Sequence, residues 1–347
     1  MASTTTITPS TRQDGVSAMS PAVSLPEPHP YNPDLDRSQT PSKQRREPEP
    51  IALIPPPWRV TGDVYCVSFW TSGATARNMP SHAYSPLEAG AEFANPAGSQ
   101  PVGGLGMIQI IRYHNSPVGP YDEMLVVPGS FDWARRGRGG RLESGSNPRI
   151  SRIYVSQKQT CYNGRINWGC PKHLARFDWD NKADGSVSVK VFPHDVSGDA
   201  SEATPSATPF FQATFKTLPY APSFPFATRW LGMLGFNTTV VMPPLPQGAG
   251  SQGELPGTDR WLSFVPHQYS RNTRVAWFDM AQAKGRPGLA AKAPGAADVD
   301  KGAADGDGPD NFWPGLGRWQ LGMVMKNADV VFDHPVETWS GPVRARL

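Results

Sequence analysis

Short apolar runs rich in β-branched and aromatic residues recur along the chain, separated by polar or Gly/Pro-rich stretches. Runs of this kind are typical of β-strands. The segments IQII and MLVV are apolar at every position, which indicates strands buried on both faces, inside a barrel or beneath helices. The pattern predicts nine strands, at 64–70, 106–114, 121–128, 149–157, 187–192, 210–217, 238–243, 273–280 and 318–326, and a last one within 336–347.

Helical periodicity is scarce by comparison. It is found at 85–94, in a stretch that opens at Pro171, and at 226–235. Pro171 suits the first position of a helix, where the missing N–H costs nothing. The chain is therefore expected to form a mainly β domain with few short helices and a closed sheet.

Composition divides the chain into a tail and one domain. Residues 1–48 are rich in Ser, Thr and Pro and poor in large apolar groups, so they cannot bury enough surface to offset the entropy of ordering. We expect a disordered tail at 1–48 and a single domain at 49–347. Polar, Gly- and Pro-rich insertions interrupt the domain, among them 134–148 and a low-complexity segment at about 282–310.

Charge and motifs exclude several function classes. The 33 basic and 30 acidic residues nearly balance, which argues against a nucleic-acid partner. No apolar run approaches the length of a membrane span, and the N-terminus lacks the plan of a secretory signal. The three cysteines are expected to be buried free thiols in the cytoplasm, and neither a metal site nor a cofactor is predicted. The GxSxG, HExxH and P-loop motifs are absent.

Lys172 is the most unusual candidate for chemistry. It follows Pro171 within NGRINWGCPKHLARFDW, where apolar residues such as Trp168, Cys170 and Leu174 surround it. Burial of a lysine in such a setting lowers its pKa, and the neutral amine can then attack a carbonyl to form an imine. The alternative is an ordinary lysine at a surface turn that keeps its charge in water.

Three segments in order along the chain together resemble the acetoacetate decarboxylase family. They are GPYDEMLVVPG at 119–129, GRINWGCPKHLA at 164–175 and ETWSGP at 337–342, of which the second is the most specific. The resemblance implies a closed β-barrel or cone with a lysine inside a largely apolar cavity. It also implies that Lys172 forms the Schiff base and that Glu123 lies in the active site.

The sequence departs from the family pattern at several positions. His173 stands where the family has a second lysine, and Gln109 stands where it has a glutamate. The family's carboxylate-binding arginine would fall near Asp63. These departures keep imine chemistry and argue against acetoacetate as the substrate.

Further residues are expected near the substrate. Arg112 could supply the missing carboxylate contact, because a guanidinium pairs with a carboxylate in a bidentate way, or it could be a solvated strand end. Arg165 belongs to the family's Gly-Arg pair. Tyr121 and Trp168 are expected to line a large aromatic pocket, together with Gln109 and His173.

Three functions stay open at this stage. The first is a Schiff-base lyase of the decarboxylase type that acts on a β-keto acid or a related carbonyl compound. The second is a lysine-dependent aldol, dehydration or cyclisation enzyme of secondary metabolism. The third is a non-catalytic protein that binds an apolar metabolite. A small carbonyl compound is the expected partner in the enzymatic cases. The resemblance also implies a homo-oligomer, because members of the family often assemble into oligomers.

Overall fold

The computed structural model describes residues 49–195, 204–281 and 313–341. The predicted tail at 1–48 and the low-complexity segment lie outside the described residues, so both stay predictions, as does the domain boundary. Within the described ranges the chain is mainly β with few short helices, which confirms the predicted fold class.

The helices and strands follow one another in this order: β1 (Trp58–Thr71), α1 (Gly73–Arg77), α2 (Pro86–Ala89), β2 (Pro101–Asn115), β3 (Tyr121–Val127), β4 (Ser130–Arg136), β5 (Leu142–Pro148), β6 (Arg152–Val155), α3 (Lys158–Trp168), β7 (Lys172–Asn181), β8 (Val187–Pro193), β9 (Phe211–Thr217), β10 (Phe224–Ala227), α4 (Arg229–Met233), β11 (Val240–Met242), β12 (Trp261–Phe264), β13 (Pro266–Asp279), β14 (Trp319–Phe332) and β15 (Glu337–Trp339).

Nine of these strands close into a barrel. Their order is β1-β14-β13-β9-β8-β7-β6-β3-β2, and β2 pairs back with β1. The hairpin β4–β5 extends from β2, β10 pairs with β13, and β11, β12 and β15 form a small separate sheet. Among the described strands only the β6–β7 pairing is parallel.

The barrel strands are buried on both faces, as the uninterrupted apolar runs predict. In β2, Ile110 and Ile111 enter two different hydrophobic clusters, and in β3 Met124 and Leu125 divide in the same way. One cluster takes side chains from all nine strands and fills the barrel. The other, which includes Trp58, lies between the barrel wall and α3, β11 and β12.

The connection from β6 to β7 differs from the prediction. The prediction of a helix that opens at Pro171 is wrong, because Lys172 instead begins strand β7. The helix lies earlier, as α3, and ends at Gly169, whose φ of 60° is the left-handed conformation that glycine adopts most readily. A parallel pair of strands needs a crossover connection, and α3 supplies it.

The hairpin β4–β5 is a second difference. The region 134–148 was expected to be a polar insertion, yet Leu142–Pro148 is a strand that pairs with Ser130–Arg136 along its whole length. Its alternate polar residues face solvent, so it lacks the apolar run that marked the other strands. Among the described residues, no helix has the length and apolar character needed to cross a membrane.

Candidate active site

Lys172 and Glu123 form a buried pair on the face of the barrel wall that helix α3 covers. The Lys172 Nζ lies 2.7 Å from the Glu123 Oε2 and 3.0 Å from the Thr160 Oγ1. The side chains are 8% and 3% exposed, respectively. Lys172 is therefore not a surface lysine with its charge in water, and it holds a carboxylate within direct proton-transfer distance.

The strand register explains why these two side chains meet. On β6, Ile153 lies beside Lys172 of β7, and Val155 lies beside Glu123 of β3. Residues two apart on a strand point to the same face. Lys172 and Glu123 therefore project to one face from the two strands that flank β6, and the long lysine side chain spans their offset.

Helix α3 packs directly over the Lys172 side chain. A Cβ at Gly164 would lie 2.5 Å from the Lys172 Cδ and 2.6 Å from its Cε, which is closer than real atoms approach. Only glycine leaves room there for the extended lysine. Thr160, one helical turn earlier on the same face, reaches the amine.

The charge state of Lys172 differs from the prediction. Burial alone would lower its pKa, but the charge of Glu123, the further electrostatic effects of Tyr121 and Cys170, and the hydrogen bond to Glu123 outweigh burial. Together they raise the pKa above its ordinary value of 10.5. Lys172 thus rests as an ammonium ion paired with Glu123, and the predicted lowered pKa is wrong for this state.

Two tyrosines complete the polar end of the site. The Tyr113 hydroxyl donates a hydrogen bond of 3.2 Å to the Glu123 Oε1. The Lys172 Nζ lies 5.4 Å from the centre of the Tyr121 ring, within the range of a cation–π contact. Burial raises the pKa of both tyrosines, so their hydroxyls stay protonated at neutral pH, and the Tyr113 hydroxyl is the donor to Glu123.

The pair lies against a cavity of about 410 Å³ that is mostly apolar. Of the expected substrate contacts, Gln109, Tyr121 and Trp168 line this cavity. Lys172 is the only cationic side chain among its described lining residues. Gln109 and Gln268 meet in this cavity, where the Gln268 Nε2 donates a hydrogen bond of 2.9 Å to the Gln109 Oε1.

His173 and Arg165 do not line the cavity and instead share a buried carboxylate behind it. The Glu88 Oε2 lies 2.6 Å from the His173 Nε2, and the Glu88 Oε1 lies 3.0 Å from the Arg165 Nη1. The same Arg165 nitrogen donates to the Lys172 carbonyl at 3.2 Å. Both residues therefore lie where they can position the lysine strand, on the far side from the substrate space.

Arg112 and Asp63 are also outside the cavity. Arg112 lies on the face of β2 opposite the cavity, where its half-exposed side chain lies 3.9 Å from Asp122 and stacks over Trp179. Asp63, near which the family's arginine would fall, forms an ion pair of 2.7 Å with Lys326. Neither residue replaces a carboxylate-binding arginine inside the cavity.

Several residues of the site were missed by sequence reasoning. Tyr113 could have been found, since it lies two residues beyond Ile111 on a predicted strand and so shares its face. Glu88 and Gln268 come from segments far away in the sequence that only tertiary packing brings to the site, and Thr160 lies on α3, a helix that no local pattern indicated. Among the described residues no group of His, Cys, Asp and Glu could hold a metal ion. All three cysteines are buried and none of them forms a disulfide, as predicted.

No protein-family profile and no curated protein sequence matches the chain. Solved structures do. The chain is similar to acetoacetate decarboxylase. One such structure, the enzyme from Legionella pneumophila, is 10% identical over 86% of this chain and 94% of its own, with a TM-score of 0.49.

Two further structures have the same kind of similarity. An acetoacetate decarboxylase-like enzyme from Sphingomonas wittichii is 12% identical over 83% of this chain and 95% of its own, with a TM-score of 0.40. An enduracididine biosynthesis enzyme, solved with the condensation product of pyruvate and imidazole 4-carboxaldehyde, is 13% identical over 83% of this chain and 90% of its own, with a TM-score of 0.38. The function proposed below rests on the geometry of the site itself.

Proposed function

We propose that this protein is an enzyme that uses Lys172 to form an imine with a carbonyl substrate. The observation that carries the proposal is the 2.7 Å contact between the Lys172 amine and the Glu123 carboxylate against a mostly apolar cavity. Burial of an ion pair costs roughly several kcal/mol of desolvation per ion. Because this pair lies against the cavity, unlike an ion pair packed wholly within the protein, we assign it a role in chemistry on a bound ligand.

The pair can form an imine without any other acid or base. Lys172 first gives a proton to Glu123 and becomes a neutral amine, whose lone pair attacks the carbonyl carbon. The carbonyl π electrons move to oxygen, which takes the proton from Glu123, while the nitrogen returns one proton to Glu123. The carbinolamine hydroxyl then takes that proton and leaves as water as the nitrogen lone pair forms the C=N bond. An ammonium–carboxylate pair thus becomes an iminium–carboxylate pair plus water.

The iminium ion is an electron sink for a neighbouring bond. Its nitrogen accepts the electron pair released by loss of CO₂ from a β-keto acid, or the pair released by loss of a proton from the adjacent carbon. The first outcome is a decarboxylase. The second leads to aldol, dehydration or cyclisation chemistry, and the absence of a cation other than Lys172 among the described lining residues favours it.

Reductive trapping tests the proposal. Borohydride reduction in the presence of a panel of ketones, followed by peptide mass mapping, is expected to place a ligand-plus-two-hydrogen adduct on Lys172. The same treatment of Lys172→Ala should give no adduct. A wild-type protein that forms no adduct with any ketone would contradict the proposal and favour a binding protein. The cytoplasmic location, the homo-oligomer and a role in secondary metabolism stay predictions.

A further inference from the structure

The chemistry of the cavity wall also restricts what the substrate can be. Resting on the proposed imine chemistry, we propose that the site takes an uncharged, elongated apolar ketone or aldehyde with a neutral oxygen acceptor along its chain, rather than a keto acid. Three features of the cavity carry this proposal: its charge, its length and the position of its glutamine pair.

Charge is the first feature. Among the described lining residues Lys172 is the one basic side chain and Glu123 is the one carboxyl group, and the two already form an ion pair. A β-keto acid would place its carboxylate within a few bonds of the carbonyl carbon and so close to Glu123. Two carboxylates would then share one cation in a desolvated space, which is costly. An uncharged carbonyl compound meets no such penalty.

Length is the second feature. The Lys172 end of the cavity lies at the level of Ile111, which pairs with Glu123, and the other end lies at Leu105 beside the exposed Trp70. Six residues of strand separate Ile111 from Leu105, which corresponds to about 20 Å. The exposed Phe236 also lines the cavity. The carbonyl carbon of a substrate must therefore lie deep, with the remainder of the molecule extended toward this mouth.

Apolar side chains line the wall between the two ends. Met107, Leu125 and Val127 face the cavity from β2 and β3, and Met323 and Met325 face it from β14. Methionine side chains are flexible and polarisable, so they adapt to an apolar ligand without a fixed shape. A wall of this kind binds hydrocarbon and offers no partner to a second charge.

The glutamine pair is the third feature. Gln109 and Gln268 are each 7% exposed and line the cavity. The strong contact between them uses the Gln109 oxygen, whereas the Gln109 Nε2 has only a 3.5 Å contact to the Gln268 Oε1 and contacts to two sulfur atoms. Sulfur is a weak acceptor. This amide N–H can therefore donate to a ligand oxygen about 7 Å along the strand from the Glu123 level.

Two matched pairs of compounds separate length from charge. The ketones 2-nonanone and acetone are compared with the β-keto acids that carry one further carboxylate, freshly prepared 3-oxodecanoate and acetoacetate, with spontaneous CO₂ release subtracted. Reductive trapping on Lys172 is expected to be at least tenfold more efficient for 2-nonanone than for 3-oxodecanoate, and at least tenfold more efficient than for acetone. Equal or better trapping of the keto acid, or its enzymatic decarboxylation, would overturn the proposal on charge. Equal trapping of acetone would overturn it on length.

Two substitutions of Gln109 test the role of the glutamine pair. Gln109→Lys places a cation on the wall and is expected to shift the ratio of 3-oxodecanoate to 2-nonanone trapping at least tenfold toward the acid. Gln109→Met keeps the size and the neutrality and should keep the wild-type ratio. It should weaken the binding of a C9 ketone with an added mid-chain ether oxygen, relative to 2-nonanone. An unchanged ratio in Gln109→Lys, or unchanged binding of the ether in Gln109→Met, would count against the assignment.

A binding measurement without reductant distinguishes failure of this proposal from failure of imine chemistry. Trp58 and Trp168 line the cavity, so quenching of tryptophan fluorescence reports occupancy. Tighter binding of 2-nonanone than of 3-oxodecanoate supports the substrate class even if no adduct forms, in which case only the imine step is refuted. Tighter binding of the acid refutes the substrate class whatever the trapping result.

Discussion

At the scale of single residues, the reactivity of Lys172 depends on its carboxylate partner rather than on burial. Burial favours the neutral amine, but Glu123 at 2.7 Å restores the preference for the ammonium ion. The nucleophile is therefore released by transfer of one proton over one hydrogen bond. Since Glu123 also receives a hydrogen bond from Tyr113, its orientation is fixed before the substrate arrives.

Replacement of Glu123 by glutamine should separate amine reactivity from catalysis. Without the carboxylate, burial dominates, so the pKa of Lys172 should fall from above its ordinary value of 10.5 to below it. Competitive labelling with acetic anhydride over a range of pH should then detect the neutral amine at lower pH in Glu123→Gln than in wild type. The rate of reductive trapping should nevertheless fall about 100-fold or more, because general acid–base catalysis is lost.

Asp122→Asn is the matched control for this experiment. Asp122 is the neighbouring carboxylate on the same strand, but it pairs with Arg112 on the opposite face of the sheet from Glu123. Its removal should change neither the labelling of Lys172 nor the trapping rate. Labelling of Glu123→Gln at the same pH as wild type, or at a higher pH, would show that the carboxylate does not hold the lysine proton.

At the scale of secondary-structure elements, α3 acts as a template for the lysine. Thr160 contacts the amine, Gly164 leaves room for the aliphatic chain, and Arg165 binds the Lys172 carbonyl. Two adjacent turns of one helix thus contact the amine, the aliphatic chain and the backbone of the same residue. The Gly-Arg pair of the sequence motif has a physical reason in this contact.

Gly164→Ala should therefore damage the site and spare the fold. Alanine is favoured over glycine within a helix by about 1 kcal/mol, and the atoms that its Cβ would meet belong to the flexible lysine side chain. We expect the free energy of unfolding in urea to stay within about 1 kcal/mol of wild type. The trapping rate should fall at least tenfold because the amine is displaced from Glu123.

Gly232→Ala provides the comparison. Gly232 lies in helix α4, and a Cβ at that position would meet no atom within 4 Å. It should share any gain in helix propensity and keep the wild-type trapping rate. If Gly164→Ala trapped ketones as fast as Gly232→Ala does, the close contact between α3 and the lysine would not be required.

The elements that the sequence predicts correctly are those with a strong local pattern. Uninterrupted apolar runs such as Ile110–Ile111 indicate strands that are buried on both faces, whatever the fold. The motif residues Lys172 and Glu123 line the same cavity. Helix α3 has polar residues on several sides and few apolar ones, so no local signal marks it. The raised pKa of Lys172 likewise depends on a carboxylate 49 residues away, which only the strand register brings into contact.

At the scale of the whole molecule, one buried carboxylate joins the parts that hold the lysine strand. Glu88 of α2 pairs with His173 of β7 and with Arg165 of α3. The Arg165 guanidinium also donates to the carbonyls of Pro246 and Pro256 in the loop between β11 and β12. The guanidinium group thus donates hydrogen bonds to several segments at once, which a lysine could not do.

The Glu88 cluster should make the free energy of unfolding depend on pH in the acid range. Although burial raises the pKa of Glu88, the charges and hydrogen bonds of His173 and Arg165 outweigh it and lower the pKa to about 2, from an ordinary value of 4.5. A depressed carboxyl pKa stabilises the folded state above the pKa of the unfolded chain. The contribution should be complete above about pH 4.5 and should disappear as the pH falls through about 2.

Glu88→Gln should remove this contribution and so measure how much it adds to the free energy of unfolding. We expect the free energy of unfolding in urea to fall by about 3 kcal/mol or more at pH 7, since the buried Arg165 loses its counter-charge. The difference from wild type should shrink as both proteins are titrated from pH 4.5 toward pH 2, where the wild-type carboxyl also becomes neutral. Glu337→Gln, which removes the half-exposed partner of Arg135, should cost less than about 1 kcal/mol at any pH. Equal losses in the two variants would mean that the Glu88 cluster contributes no more to the fold than a surface ion pair.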